Sequence, residues 1–157
     1  MKKYEPTVIA FSCTFCADCG LESSMPGAQL RVIRLHCLGK LNSMHVLKAF
    51  ESGADAVLVA GGACRFMEGM IAARKQIEYT RKLLAELGVE PERLVLADTG
   101  RTEQGLFAEA AGEIIKQVRA LGPGPVTNKA KKQHKKLTAV SLQLSAISCI
   151  CIKEKQS

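Results

Sequence analysis

The sequence contains no tryptophan, and aromatic residues make up only 4% of it, although hydrophobic residues as a class make up 47%. The core must therefore consist mainly of Val, Ile, Leu and Ala, the residues that fill the buried strands of parallel α/β sheets. The 157 residues are enough for one domain with a single hydrophobic core. The composition thus favours a one-domain α/β protein.

Long apolar segments are also absent from the sequence. No run approaches the roughly 20 residues that span a bilayer. The apolar run that follows Pro6 and ends at Cys13 is too short for the core of a signal peptide. We therefore expect no membrane span and a cytoplasmic location, where thiols are usually reduced or bound to metal.

Acidic residues are scarce at the carboxyl-terminal end of the chain. Residues 123–157 contain seven lysines and one acid, Glu154, so they carry +6 of the net charge of +7. This segment has no aromatic residue on which a base would stack, so we expect no nucleic-acid partner. We interpret residues 5–122 as the α/β domain and residues 123–157 as a lysine-rich, poorly ordered tail.

Hydrophobic patterning predicts the elements of the domain. Four short apolar runs have the length and boundaries of buried strands, at residues 8–12, 31–36, 56–60 and 93–97. Helical spacing predicts a helix with Ser43 as its N-cap, a longer helix that stops at Gly88, and a third helix that begins near Phe107. The order β-α-β-α-β-α-β-α predicts a three-layer domain of the flavodoxin/Rossmann-like type, with a four-stranded parallel sheet and helices on both faces.

Four of the five cysteines in the predicted domain follow predicted strands. Cys13 and Cys16 follow the first strand, Cys37 follows the second, and Cys64 follows the third. The carboxyl ends of parallel strands share one edge, so loops that are distant along the chain converge there. The C-x-x-C spacing of Cys13 and Cys16 also lets both sulfurs face one metal centre, and Cys19 extends the motif. We therefore expect these thiols to meet at one edge of the sheet.

The cysteine pattern by itself leaves three interpretations open. Cysteines can be small buried hydrophobic residues, and a Cys13/Cys16 pair can exchange disulfides, although this leaves Cys37 and Cys64 without a role. A metal site would use four thiolates together, around zinc or an iron–sulfur cluster. Structural zinc sites usually draw on two closely spaced pairs, whereas here the second pair is split between two strand ends, which favours a cluster.

Several longer segments resemble one protein family. They are Ile9–Cys16, Arg31–Lys40, Val46–Gly61 and Leu87–Leu94, together with Cys64 and the pair Glu68–Gly69. Over about residues 5–122 the chain is similar to the methyl-viologen-reducing hydrogenase delta subunit family, small iron–sulfur proteins that join a hydrogenase to heterodisulfide reductase. The combination of segments is far more specific than the cysteine spacing alone.

The resemblance implies a 2Fe-2S cluster with Cys13, Cys16, Cys37 and Cys64 as ligands. Family members usually have two cysteines in the loop after the third strand, and this chain has only Cys64 there. Cys19 is therefore a second-choice ligand. The tail cysteines, Cys149 and Cys151, match no ligand pattern.

The resemblance also implies a role and partners. The chain would be an electron-transfer subunit of an oxidoreductase complex, with no substrate of its own. Its partners would be a heterodisulfide reductase flavoprotein subunit and hydrogenase or formate dehydrogenase subunits. Backbone N–H groups of the loops that contain Gly20, Gly39 and Gly61-Gly62 would donate to the cluster sulfurs, unless these glycines serve only turn geometry. The alternatives are a zinc-stabilised interaction module and a dithiol oxidoreductase that uses Cys13 and Cys16.

Overall fold

A computed structural model describes residues 4–14, 25–62, 68–99 and 104–124. The strands in these ranges are β1 (Thr7–Cys13), β2 (Gln29–Leu35), β3 (Ala56–Gly61) and β4 (Leu94–Asp98). The α-helices are α1 (Ser43–Glu51), α2 (Glu68–Glu86) and α3 (Gln104–Leu121), and short 3-10 turns occur at Leu38–Lys40 and Pro91–Arg93. No helix in the described ranges is long and apolar enough to cross a membrane.

The four strands form one parallel sheet in the order β2-β1-β3-β4. Cys13 at the end of β1 pairs with Leu35 of β2, and Gly61 at the end of β3 pairs with Asp98 of β4. All carboxyl ends therefore lie at the same edge, and the predicted four-stranded parallel sheet is confirmed. Every residue of β3 is buried, as expected for a central strand.

Helices cover both faces of the sheet, as predicted. Helices α1 and α2 pack on the face formed by Phe11, Val57 and Val59, while α3 packs on the opposite face. The element order also placed a helix between the first two strands, and residues 15–24 of that connection lie outside the described residues. The result is a three-layer α/β domain with a separate apolar cluster on each side of the sheet.

The N-cap of α1 differs from the predicted one. Asn42 is the N-cap: its side chain accepts a hydrogen bond from the backbone N–H of His45 at 3.1 Å, and His45 Nδ1 accepts one from the Asn42 N–H at 3.2 Å. Ser43 is instead the first helical residue, and its Oγ lies 2.8 Å from Thr80 Oγ1 of α2. Asn and Ser cap helices about equally well, so the sequence alone does not separate these adjacent residues.

A buried polar cluster closes the amino-terminal edge of the sheet. The Asp55 carboxylate accepts hydrogen bonds from the N–H groups of Thr7 and Gly124, each at 2.9 Å. Arg93, only 1% exposed, donates to the carbonyls of Asp55 and Gly122. The cluster thus joins the starts of β1, β3 and β4 to the chain that leaves α3.

Candidate metal centre

The carboxyl edge of the sheet places two of the predicted ligands on neighbouring strands. Cys13 is the last residue of β1, and Cys37 lies just beyond the end of β2 at Leu35. In the strand order β2-β1-β3-β4 the chain passes from β1 to its neighbour on one side, β2, and from β2 to the neighbour of β1 on the other side, β3, so the ends of β1 and β3 form the topological switch point of the sheet. Ligand sites of open α/β sheets lie at such points.

Cys13 is deeply buried and tied to the end of β2. Its side chain is 2% exposed and belongs to the apolar cluster on the α1 and α2 face. The thiol donates to the carbonyl of His36, with an Sγ to O distance of 3.6 Å. The Thr14 N–H also donates to the Leu35 carbonyl, at 2.8 Å. These bonds hold the end of β1 against the residues that lead directly into Cys37.

Cys37 is the N-cap of the short 3-10 turn at Leu38–Lys40. Its Sγ accepts a hydrogen bond from the Gly39 N–H at 3.4 Å. This N–H was expected to donate to a sulfur of the cluster, whereas here it donates to the sulfur of Cys37, a predicted cluster ligand. Unlike Cys13, Cys37 is partly exposed. A thiolate at this position would be stabilised by the N–H and would be open to a bound group.

Two glycines, Gly69 and Gly39, allow close packing around the Cys37 sulfur. A Cβ at Gly69, in the first turn of α2, would lie 2.9 Å from Cys37 Sγ, a distance that real Cβ atoms essentially never show. A Cβ at Gly39 would lie 3.4 Å from the Gly69 Cα. The sulfur therefore sits against the amino end of α2, where backbone N–H groups without intrahelical partners favour negative charge.

Gly61 has a related role at the end of β3. A Cβ there would overlap the Leu38 side chain and lie 3.4 Å from Met70 Sδ. Leu38 is 2% exposed and directly follows Cys37. The absence of a side chain at Gly61 thus lets the turn that carries Cys37 pack over the end of the central strand. The sequence pattern did not predict this role, or that of Gly69, because both depend on contacts between distant segments.

The other predicted ligands, Cys16, Cys64 and the second choice Cys19, lie outside the described residues. Their loops nevertheless leave from the same edge: Cys16 comes three residues after the end of β1, and Cys64 three residues after the end of β3. Within the described ranges, no group of three or more His, Cys, Asp or Glu side chains forms a metal site. The described part therefore contributes two sulfurs and a glycine-lined space around one of them, a donor set that fits a thiolate-held metal group.

Comparison with known proteins identifies the family of the chain. A model of the family described as methyl-viologen-reducing hydrogenase, delta subunit, matches residues 8–122. The chain belongs to this delta subunit family. The family segment begins in β1 and ends at Gly122, so it includes every described strand and helix.

Two relatives resemble the delta subunit segment over nearly their whole length. The vhu iron-sulfur subunit of the F420-non-reducing hydrogenase of Methanococcus maripaludis is 37% identical over 130 residues, which cover 78% of this chain and 97% of the relative. The iron-sulfur subunit of the same name from Methanocaldococcus jannaschii is 35% identical over 130 residues, with the same coverage of both chains.

A third relative contains the delta subunit segment within a much longer chain. This relative is one of the subunits of the ferredoxin:CoB-CoM heterodisulfide reductase of Methanosarcina mazei. It is 31% identical over 146 residues, which cover 88% of this chain but only 18% of the relative. The same segment therefore occurs both as a small separate subunit and as part of a large polypeptide.

Proposed function

We propose that the chain is an electron-transfer subunit that carries a 2Fe-2S cluster on Cys13, Cys16, Cys37 and Cys64. The observation that carries the proposal is the junction at the carboxyl edge, where Cys13 Sγ lies 3.6 Å from the carbonyl oxygen of His36, the residue just before Cys37. Membership of the delta subunit family supports the same conclusion. The bound cluster would accept and release single electrons.

The residues of the chain would hold the cluster and adjust its electrostatics. Burial of Cys13 keeps one side of the site dry, while Cys37 is partly exposed. The Gly39 N–H stabilises negative charge on Cys37 Sγ, and such hydrogen bonds raise the reduction potential of clusters. Burial of Cys13 weighs against the dithiol alternative, because an exchanging sulfur must be reached by its partner thiol.

The names of the relatives support the electron-transfer route that we propose. Some are iron-sulfur subunits of hydrogenases, and another belongs to a heterodisulfide reductase. We infer that this chain relays electrons between a hydrogenase, or another oxidoreductase such as formate dehydrogenase, and a heterodisulfide-reductase-like flavoprotein. It would have no substrate of its own.

Anaerobic purification of the full chain tests the cluster. We expect a brown protein with two irons and two labile sulfides per chain, measured by chemical analysis and visible absorption. Serine at Cys13, Cys16, Cys37 or Cys64 should abolish the absorption. Matched serine variants of Cys149 and Cys151 should retain it.

The same experiment separates the alternatives. A colourless protein with one bound zinc would contradict the cluster and indicate the zinc-stabilised module. A metal-free protein in which only Cys13 and Cys16 form a redox couple would indicate the dithiol oxidoreductase. If only the Cys64 variant keeps its iron, Cys19 replaces Cys64 as the fourth ligand.

A further inference from the structure

Among the described strands, β4 is at the end of the sheet, and none of them pairs with its side that faces away from β3. The Thr99 N–H donates to the Gly61 carbonyl at 2.9 Å, and backbone groups alternate in direction along a parallel strand. Val95 and Ala97 therefore bond to β3, while the N–H and C=O of Leu96 point away from the sheet. Within the described part of the chain, Leu96 has no backbone partner on that side. One strand position beside β4 is thus open to pairing.

The two edges of the sheet differ in how they are protected. Strand β2 carries Arg31 and Arg34, and charged side chains discourage the pairing of edge strands between molecules. Strand β4 reads Leu-Val-Leu-Ala before its first charged residue, Asp98. Its beginning is blocked, since Arg81 Nε and Nη2 donate to the Leu94 carbonyl at 3.0 and 2.7 Å. An apolar edge of this kind is either an aggregation hazard or a binding site.

Grooves run along both sides of this edge. One of about 290 Å³ lies between β4 and α2 and is lined by Leu96, Ile77 and Arg74. The other, of about 330 Å³, lies between β4 and α3 and is lined by Val95, Ala97 and the side chains of Glu109 and Glu113, among others. An added strand would send alternate side chains into these two grooves.

We propose that β4 is a docking edge that an extended segment of a partner protein completes as a fifth strand. Glu109 and Glu113 are both exposed beside the groove on the α3 side. The segment should therefore carry apolar residues over β4 and basic residues toward α3.

A second copy of the chain fits this edge poorly. Antiparallel pairing of two β4 strands about a two-fold axis keeps both α3 helices on the same side of the continuous sheet. Glu109 and Glu113 of each copy would then face the same acids of the other copy, and like charges that face each other across an interface lower affinity. A partner of different sequence is favoured.

The choice of partner rests on the proposed function. In the Methanosarcina mazei relative, the matched segment is part of a long heterodisulfide reductase chain, so the same segment works there beside other parts of that chain. We infer that the fifth strand comes from a separate protein of the same organism that is homologous to the remaining parts of that long chain, here called the reductase homologue. The cluster and the docking edge are measured separately, so each proposal can fail alone.

Proline at Leu96 tests the edge, because proline lacks the N–H that the added strand would bond. We expect full-length Leu96→Pro to bind the purified reductase homologue about tenfold or more weakly than Leu96→Ala, in calorimetric titration. Val32→Pro is the matched control, because the Val32 N–H points away from the sheet at the β2 edge. It should bind like the wild type. Equal affinities of the Leu96→Pro and Leu96→Ala variants, or no binding by the wild type, would overturn the proposal.

Charge reversal provides a second test that leaves the strand backbone intact. The double variant Glu109→Lys and Glu113→Lys should weaken binding, more strongly at low salt than at high salt. Iron content and visible absorption should stay unchanged in both the double variant and Leu96→Pro. If the double variant instead binds the reductase homologue as tightly as the wild type does, the assigned partner is wrong. The assigned partner is also wrong if the double variant self-associates while the wild type does not bind the reductase homologue.

Discussion

At the scale of single residues, the site depends on close approaches that leave no trace in local sequence patterns. Cys13 and Cys37 were expected at one edge of the sheet because they follow predicted strands, and the structure places both there. Gly69 stands out in the sequence only as part of a family-like segment. Its role becomes visible in three dimensions, since the Cys37 sulfur occupies the space of its missing side chain.

The Gly69→Ala variant tests this contact. The added methyl would lie 2.9 Å from Cys37 Sγ in the present geometry, so either the sulfur or the first turn of α2 must move. We expect the iron content and visible absorption of the anaerobically purified protein to fall by more than half, while the chain remains folded. Helix propensity itself favours alanine over glycine by about 0.5–1 kcal/mol, so the expected loss of iron would not come from a weaker helix.

Gly112→Ala is the matched control for that variant. Gly112 also lies in a helix, but a Cβ there meets nothing within 4 Å. This variant should keep all its iron and unfold at a slightly higher urea concentration. Full iron in the Gly69→Ala protein would show that the Cys37 sulfur is not held against α2 in the loaded state.

At the scale of elements, periodicity predicts the middle of a helix better than its ends. Ala73, Ile77 and Leu84, which recur at helical spacing, form the buried side of α2. The same spacing continues to Leu87 and, in α3, to Leu121, but these two residues are 66% and 39% exposed. Leu87 follows the last residue of α2, and Leu121 is the last residue of α3. The glycine stop after α2 is confirmed by the φ of +72° at Gly88.

The N-cap of α1 gives a prediction at this scale. Asn42→Ala removes the acceptor of the His45 N–H, and such substitutions cost about 1 kcal/mol in the free energy of unfolding. Asn42→Ser, which keeps a capping oxygen, should cost only a few tenths of a kcal/mol. Urea unfolding of the three proteins measures the difference. Equal midpoints for the alanine variant and the wild type would mean that the cap contributes nothing to stability.

At the scale of the whole molecule, the carboxyl ends and the amino ends of the strands carry different kinds of residues. The carboxyl ends of the strands carry Cys13 and Cys37, whereas the amino ends are closed by Asp55 and Arg93, both 1% exposed. The guanidinium of Arg93 also hydrogen-bonds the Glu90 carboxylate and lowers its pKa. The parallel sheet and the edge that carries the cysteines followed from the sequence pattern, but this polar closure did not, because buried ion partners leave no periodic signal.

The closure at the amino ends of the strands also includes residues near the predicted end of the domain. The sequence pattern placed the end of the domain at residue 122, yet the N–H of Gly124 donates to the buried Asp55 carboxylate at 2.9 Å. The carbonyl of Gly122 accepts from Arg93 at 2.9 Å, and its N–H donates to Val118. Residues 122–124 are therefore part of the closure, and we propose that the lysine-rich tail begins after them.

Truncation tests this boundary. A chain of residues 1–126 should match the full chain in urea unfolding and in iron content, because it keeps the hydrogen bonds of Asp55 and Arg93 to Thr7, Gly122 and Gly124. A chain of residues 1–121 leaves the buried Asp55 carboxylate and Arg93 guanidinium short of partners, at about 1–3 kcal/mol for each lost buried bond. We expect its free energy of unfolding to fall by roughly 2–5 kcal/mol. Its cluster spectrum should survive at low temperature, since the carboxyl edge lies at the other end of the strands. Equal stability of the two shortened chains would place the domain end before Gly122 and remove the closure from the fold.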